Sequence, residues 1–182
     1  GGFINCQWGP LGPAFFEKYS HLKFVATYSV GYDHINIPAA TQAKIPVYNT
    51  PDVLSKATAD TAFMLMMITA RKAIFHYNRI TSDRWGTEFT DPLNFVGQDL
   101  QGKTLGIFGL GRIGIEMAKA AIGAFNMKVI YHNRGPRPEL EAELNGATYV
   151  TFDELLAQSD VISLHANLTA ENTKKFNKDA FA

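Results

Sequence analysis

Leu105-Gly106-Ile107-Phe108-Gly109-Leu110-Gly111-Arg112-Ile113-Gly114 is the stretch on which the reading of this chain turns. Residues 105–108 form a short apolar run that reads as a buried strand. Glycines at G-x-G-x-x-G spacing follow, then a helical pattern over 115–122, then Met127-Lys128-Val129-Ile130-Tyr131 as a second strand. Strand, glycine turn, helix and strand make up the unit that binds a dinucleotide. Gly109 allows the tight turn, Gly111 lets the backbone approach a pyrophosphate, and Gly114 lets the helix lie close to the strand. The amino end of the helix offers unpaired N–H groups and a partial positive charge to phosphates. Leu110, Arg112 and Ile113 complete the cradle. Glycines alone mark turns, and it is the flanks that turn this spacing into a nucleotide site.

The end of the second strand speaks to the cofactor. An acidic residue about 20 positions beyond the glycines takes the ribose hydroxyl of NAD in this fold. Here the sequence reads Tyr131-His132-Asn133-Arg134-Gly135-Pro136-Arg137, without an acid. An Asp would repel a 2′-phosphate, whereas a guanidinium pairs with one through two parallel charge-assisted hydrogen bonds. The expectation is therefore NADP(H) in preference to NAD, with Asn133 and Arg134 as selectors and Arg137 as a further candidate. The plain alternative for these arginines is a solvated basic loop.

Composition narrows the class. The 182 residues suffice for one domain with a real core or for two small ones. Lys plus Arg and Asp plus Glu are 17 each, with no basic block, which argues against nucleic acid or an anionic membrane as partner. A single cysteine, Cys6, cannot form an internal disulfide, and no signal-like start is seen, so a cytoplasmic location is expected. The most apolar run, residues 57–68, is shorter than the roughly 20 residues a membrane helix needs. No metal site is expected.

Taken in order, residues 1–5 read as a strand entering a turn at Trp8-Gly9-Pro10. Residues 13–19 read as a helix with Pro13 at its start, 22–26 as a strand, 37–42 as a helix and 46–49 as a strand. Alternating strands and helices imply a parallel sheet with crossover helices, and loops at the carboxyl ends of its strands are ligand positions. Residues 29–31 and 49–54 occupy such loops. A helix capped by Ser55 is expected to run to about Lys72, apolar nearly all round and so covered on every side, one side by another domain or a second subunit. Its methionines read as adaptable core. From Tyr77 to Gly97 the pattern breaks into a helix end and a long loop carrying Trp85 and Phe89, with a domain junction at 96–103. Beyond the second nucleotide-domain strand, 138–144 is a helix stopped by Gly146. Residues 147–150 form a strand, Thr151-Phe152-Asp153-Glu154 a capping box opening a helix through Gln158, and 160–165 a strand emptying into Ala166-Asn167-Leu168-Thr169. By itself, His165 reads as a strand-end histidine bonded to backbone.

Ser29-Val30-Gly31-Tyr32-Asp33-His34-Ile35, Asn49-Thr50-Pro51-Asp52-Val53-Leu54, the glycine motif 109–114 and residues 164–169 fall in the order and spacing of one family. The chain resembles the D-isomer-specific 2-hydroxyacid dehydrogenases, most of all their glyoxylate/hydroxypyruvate reductase branch, over nearly its whole length. The resemblance implies two parallel-sheet α/β domains. Residues 1–97 would be a partial, flavodoxin-like substrate-binding domain with a linking helix and loop. Residues 98–182 would be a partial Rossmann dinucleotide-binding domain. It further implies reduction of a small 2-keto acid to the D-2-hydroxy acid with hydride from NADPH or NADH. Backbone N–H groups of Val30 and Gly31 would hold the substrate carboxylate, and Leu54 would line the pocket. Thr58 would meet the cofactor, and His165, Ala166 and Thr169 would pass along its ribose. A homodimer is implied as well. Asn167 departs from the proline usual at that point.

Family members carry an arginine that binds the keto acid and a Glu–His pair that protonates the carbonyl oxygen as hydride arrives. All three would follow the next strand, beyond Ala182, so no catalytic residue is assigned here and the chain is expected to be an internal portion of a longer polypeptide. Ending at Ala182, it is expected to lack reductase activity and to leave an exposed sheet edge. Two alternatives stand beside the reductase. One is a dinucleotide-sensing interaction protein, corepressor-like, on the same fold. The other is a dehydrogenase for phosphoglycerate or formate, which ranks lower because Lys56 is the only basic residue near the first-domain loops.

Overall fold

In a computed structural model, residues 1–5, 9–86, 93 and 95–181 are described. Cys6, Trp8, Phe89 and Ala182, each named above, lie outside the described residues. The chain divides into two compact units, one of Gly1–Leu54 with Asn167–Ala182 and the other of Ser55–Ala166.

The first unit holds β1 (Gly2–Asn5), α1 (Pro13–Lys18), β2 (Phe24–Thr27), α2 (Ile37–Gln42) and β3 (Val47–Tyr48). The strands form a parallel sheet in the order β1-β2-β3. Pro13 opens α1, where its missing N–H costs nothing. Asn36 caps α2 by accepting from Ala39 N–H at 2.9 Å. Leu11, Phe16, Val25, Ile35, Ala40 and Ile45 make the core.

The second unit contains α3 (Ser55–Ala70), α4 (Ala73–Thr81), β4 (Thr104–Phe108), α5 (Arg112–Phe125), β5 (Lys128–His132), α6 (Pro138–Glu143), β6 (Thr148–Tyr149), α7 (Phe152–Gln158) and β7 (Val161–Leu164). Its parallel sheet runs β6-β5-β4-β7. The predicted capping box is present: Thr151 and Glu154 satisfy each other's backbone N–H groups at the start of α7. Leu105, Ile107, Leu110, Met117, Tyr131 and Leu155 are fully buried. Each such side chain contributes about 1.5–3 kcal/mol of burial.

Two features differ from the sequence-based expectation. Helix α3 packs on α5 of the second unit, so the compact units part at Leu54 and Ser55 rather than at 97 and 98. Phe63 of α3 stacks on Phe125 of α5 at 5.9 Å, and Ala59, Ala62, Met66 and Met67 join the same core. The segment before β4 is clamped to the end of α3: Gln98 N–H donates to Ala70 O at 2.7 Å. A Cβ at Gly97 would lie 2.5 Å from that oxygen, so only glycine fits. Secondly, the long helix stops at Ala70, Lys72 turns left-handed at φ 51, and α4 follows where a helix end and a loop were expected. The apolar residues Ile74, Tyr77 and Ile80 of α4 face solvent while Arg79 is the buried one, so the helix carries an inverted pattern. Arg79 lies over the rings of Phe75 and Phe95, at 5.7 and 4.9 Å. Met64 and Leu65 of α3 are also exposed, so the helix is not covered on every side within its own unit. No described helix is long and apolar enough to cross a membrane.

Candidate functional site

The glycine motif sits where β4 gives way to α5. Gly109 has φ 97, and a Cβ there would lie 2.5 Å from Ala166 N and 2.7 Å from Ala166 Cα. Only glycine meets both demands. Gly109 N–H donates to His132 O at 2.9 Å and His165 N–H to Phe108 O at 2.8 Å. The carboxyl ends of β4, β5 and β7 are thereby held in one row. A Cβ on Gly114 would come within 2.7 Å of Gly109 O and 3.1 Å of Ile107 Cγ2, which is the close helix–strand approach expected of the third glycine.

Gly111 is different in kind. It caps α5 in extended backbone, and a Cβ there would meet nothing within 4 Å. Its missing side chain leaves open space in front of the helix. The first turn of α5 holds no acidic side chain and begins with Arg112, followed by Ile113. An open, acid-free helix amino end with a glycine at its lip fits the pyrophosphate of a nicotinamide dinucleotide.

Asn133 locks this turn from the side. Its Oδ1 accepts from Leu110 N–H at 2.8 Å and its Nδ2 donates to Leu110 O at 3.2 Å. Both ends of the amide are thus engaged with the glycine loop, which makes Asn133 a brace for the cradle. Arg134, next along, is exposed and makes no hydrogen bond or ion pair with any described residue. Arg137 is already engaged: its guanidinium donates to Glu139 at 2.5 Å, and that pairing holds the Glu139 carboxyl below its usual pKa.

The loop is anchored at its far end by a residue that the sequence reading used only as strand. Tyr131 is fully buried, donates from its hydroxyl to Glu141 Oε1 at 2.6 Å and accepts from Arg137 N–H at 2.6 Å. Burial, then the bond to Glu141, pushes its phenol up to about 12. A tyrosine in an interior strand signals that some polar group must meet its hydroxyl, but which one depends on how the loop returns. His132 lies between Phe108 and Tyr149, stacked on both, and its Nδ1 carries the proton because Val150 O at 2.9 Å can only accept.

His165 is half-buried with Nε2 2.8 Å from Ser163 Oγ, and burial lowers its pKa below 6.5. Its side chain therefore pairs with a serine rather than with backbone. Ala166 abuts Gly109 as described. Thr58 is half-buried in the first turn of α3. Gly109, Leu110, Gly111, Arg112, Ile113, Gly114, Asn133, Arg134, His165 and Ala166 all lie along the three strand ends and the start of α5. Thr169 groups with the first unit, where it and Asn172 exchange hydrogen bonds in a local turn.

In the first unit, Val30 and Gly31 sit on a loop stitched by polar side chains. Ser29 Oγ donates to Gly31 O at 2.6 Å, and Asn49 Nδ2 donates to Val30 O at 2.9 Å. Thr50 N–H donates to Ser29 O at 3.1 Å. Since the single Ser29 hydroxyl proton goes to Gly31 O, the 2.8 Å contact with Thr27 Oγ1 has Thr27 as donor. Thr27 and Ser29 are buried; Leu54, just before α3, is half-buried.

Residues 63–182 match the family described as D-isomer specific 2-hydroxyacid dehydrogenase, NAD binding domain. The chain belongs to that family. Among its relatives, the glyoxylate reductase of Thermococcus litoralis is 49% identical over 157 residues, covering 85% of this chain and 47% of the relative. A solved glyoxylate reductase from Paecilomyes thermophila is 40% identical at a TM-score of 0.82, over 94% of this chain and 52% of that one. The D-lactate dehydrogenase of Aquifex aeolicus, solved with NAD and lactic acid, superimposes at a TM-score of 0.87 with 28% identity, over 98% of this chain and 52% of that one. The chain spans about half the length of the relatives it matches. The matched family is described as an NAD binding domain, which points to a nicotinamide dinucleotide as the cofactor and is consistent with the open cradle at Gly111.

Proposed function

We propose that the protein reduces a small 2-keto acid of the glyoxylate or hydroxypyruvate kind to the D-2-hydroxy acid, with NADPH preferred over NADH. The similarity to glyoxylate reductases supports the substrate class. The cofactor preference rests on one observation: Arg134 is an exposed cation without a partner among the described residues, on the loop where an NAD-specific site would carry an acid. A 2′-phosphate there would meet a guanidinium that no carboxylate has neutralised. Asn133, engaged with Leu110, supports selection indirectly by fixing the turn from which Arg134 projects.

A nicotinamide dinucleotide held here would supply hydride for the carbonyl carbon. The residues of this chain would bind and orient: the start of α5 would hold the pyrophosphate, Arg134 the 2′-phosphate, and the N–H groups of Val30 and Gly31 the substrate carboxylate. Thr58, His165, Ala166 and Thr169 are proposed cofactor neighbours, and Leu54 a pocket wall. Residues 1–97 retain the substrate-binding role under this reading, with α3 lending its packing to the nucleotide unit. The exposed strip of Ile74, Tyr77 and Ile80 on α4 is the proposed face of a homodimer.

Michaelis constants of the intact protein for NADPH and NADH, with glyoxylate as oxidant, test the proposal. A KM for NADPH at least about ten-fold below that for NADH is expected from a charge-assisted pair. Equal constants overturn the NADP preference. Dinucleotide binding without turnover of glyoxylate, hydroxypyruvate or pyruvate overturns the reductase and favours a dinucleotide-sensing role.

A further inference from the structure

Val30 and Gly31 share a loop with an unusual division of labour between their carbonyls and their amides. Both carbonyls are occupied: Asn49 Nδ2 donates to Val30 O at 2.9 Å and Ser29 Oγ to Gly31 O at 2.6 Å. The N–H groups of Val30 and Gly31 donate to nothing among the described residues. Gly31 is exposed and Val30 half-buried, so these donors are open to a ligand or to solvent.

The peptide plane links these two facts. All described peptide bonds are trans, so the C=O of Val30 and the N–H of Gly31 lie in one plane and point in opposite directions. A donor that holds the Val30 oxygen therefore also aims the Gly31 N–H, away from Asn49. In the same way Ser29, by holding Gly31 O, aims the N–H of Tyr32. Ser29 is in turn held by Thr27, whose Oγ1 donates to it at 2.8 Å and lies 3.4 Å from His34 Nε2. Asn49 reaches across from the loop after β3, 19 residues along the chain, so the β2 and β3 loops set this plane jointly.

We infer that Asn49 is a positioning residue for the substrate carboxylate: it fixes the Val30–Gly31 peptide so that the Gly31 N–H is already aimed at the anion, with Ser29 as the matching brace on the next peptide. This rests on the proposal that Val30 and Gly31 hold the carboxylate. Asn49 itself touches no substrate; its effect passes through the backbone plane. Such preorganisation matters because an unheld glycine-containing loop would lose conformational entropy on binding. An Asp at 49 would keep the size but place a carboxylate against Val30 O, favouring a turned peptide.

The experiment uses the intact protein and oxalate, a dead-end analogue carrying the same carboxylate, with the Asn49→Asp, Asn49→Ala and Asn49→Ser variants. Oxalate affinity is followed through the 15N–1H resonance of Gly31, and turnover through KM and kcat for glyoxylate and KM for NADPH. In the unaltered protein oxalate should move the Gly31 resonance. Each Asn49 variant should weaken oxalate and raise the glyoxylate KM by about ten-fold, the effect of one misplaced hydrogen bond to a charged group. KM for NADPH should stay within about two-fold, since Asn49 lies in the other compact unit. A folded Asn49→Asp protein with oxalate affinity and glyoxylate KM unchanged overturns the inference. So does an equal rise in both Michaelis constants with a lowered melting temperature, which is what a merely structural role would give. If Asn49→Asp and Asn49→Ala fail to fold, Asn49→Ser, which shortens the donor that reaches Val30 O, decides by the same two readings. Movement of Gly31 by oxalate with no turnover by the unaltered protein defeats the reductase proposal while leaving the cradle standing.

Discussion

Replacing Tyr131 by Phe removes one oxygen from a fully buried ring and leaves the packing otherwise alone. The hydroxyl makes two hydrogen bonds, to the Glu141 carboxylate and from the Arg137 N–H, both at 2.6 Å. A neutral hydrogen bond contributes about 1 kcal/mol net and one to a charged group about 1.5–3. Glu141 and Arg137 can be rehydrated after the change, so a loss of about 2–3 kcal/mol is expected, with Tm lower by roughly 4–10 °C for a chain of this size. Urea unfolding followed by far-UV circular dichroism gives the number directly, with midpoint falling and m unchanged. The pH dependence supplies a second check. The folded phenol titrates at about 12, above its ordinary 10.0. A group whose folded pKa is raised stabilises fully below the unfolded value and loses that contribution as pH rises towards the folded one. The stability gap between wild type and Tyr131→Phe should thus be flat below pH 10 and shrink between about 10 and 12. A gap under about 0.5 kcal/mol at neutral pH, the size of an ordinary surface change, or one that widens above pH 10, would refute the reasoning.

Gly109→Ala should cost about 2–4 kcal/mol of stability through left-handed strain and overlap with Ala166, and weaken dinucleotide binding at least about ten-fold; calorimetric melting and cofactor fluorescence measure the two. Arg134→Asp should reverse cofactor preference, raising KM for NADPH by about ten-fold or more while KM for NADH stays level or falls. Because burial depresses the pKa of His165, its share of stability is present above 6.5 and is lost as pH falls below it. Unfolding free energies of wild type and His165→Gln should therefore converge as the solution is acidified, and a constant difference would contradict the burial. Leu155→Ala, beneath Gly106 in a fully buried position, should cost about 2–5 kcal/mol by chemical denaturation without altering cofactor preference.

Local chemistry was decided by the sequence alone. The G-x-G-x-x-G spacing after an apolar run, the Thr151–Glu154 capping box, Pro13 at a helix start and the missing acid after Tyr131 each act within a few residues. They are legible because their physics is backbone geometry and nearest-neighbour hydrogen bonding. The two parallel sheets followed from alternating strands and helices for the same reason.

What needed the folded chain was everything set by return distance. Helix α3 belongs with the nucleotide unit because Phe63 meets Phe125 and the end of the helix takes Gln98, contacts between residues far apart in sequence. Helix α4 was hidden because it turns Ile74, Tyr77 and Ile80 outward and Arg79 inward, so burial runs against hydropathy. Asn133 as a brace for Leu110, Tyr131 as the anchor of the Arg137 loop, and Asn49 behind Val30 share one property: a polar side chain satisfied by a distant backbone group. Composition states that such a group needs a partner; only the tertiary path of the chain supplies which.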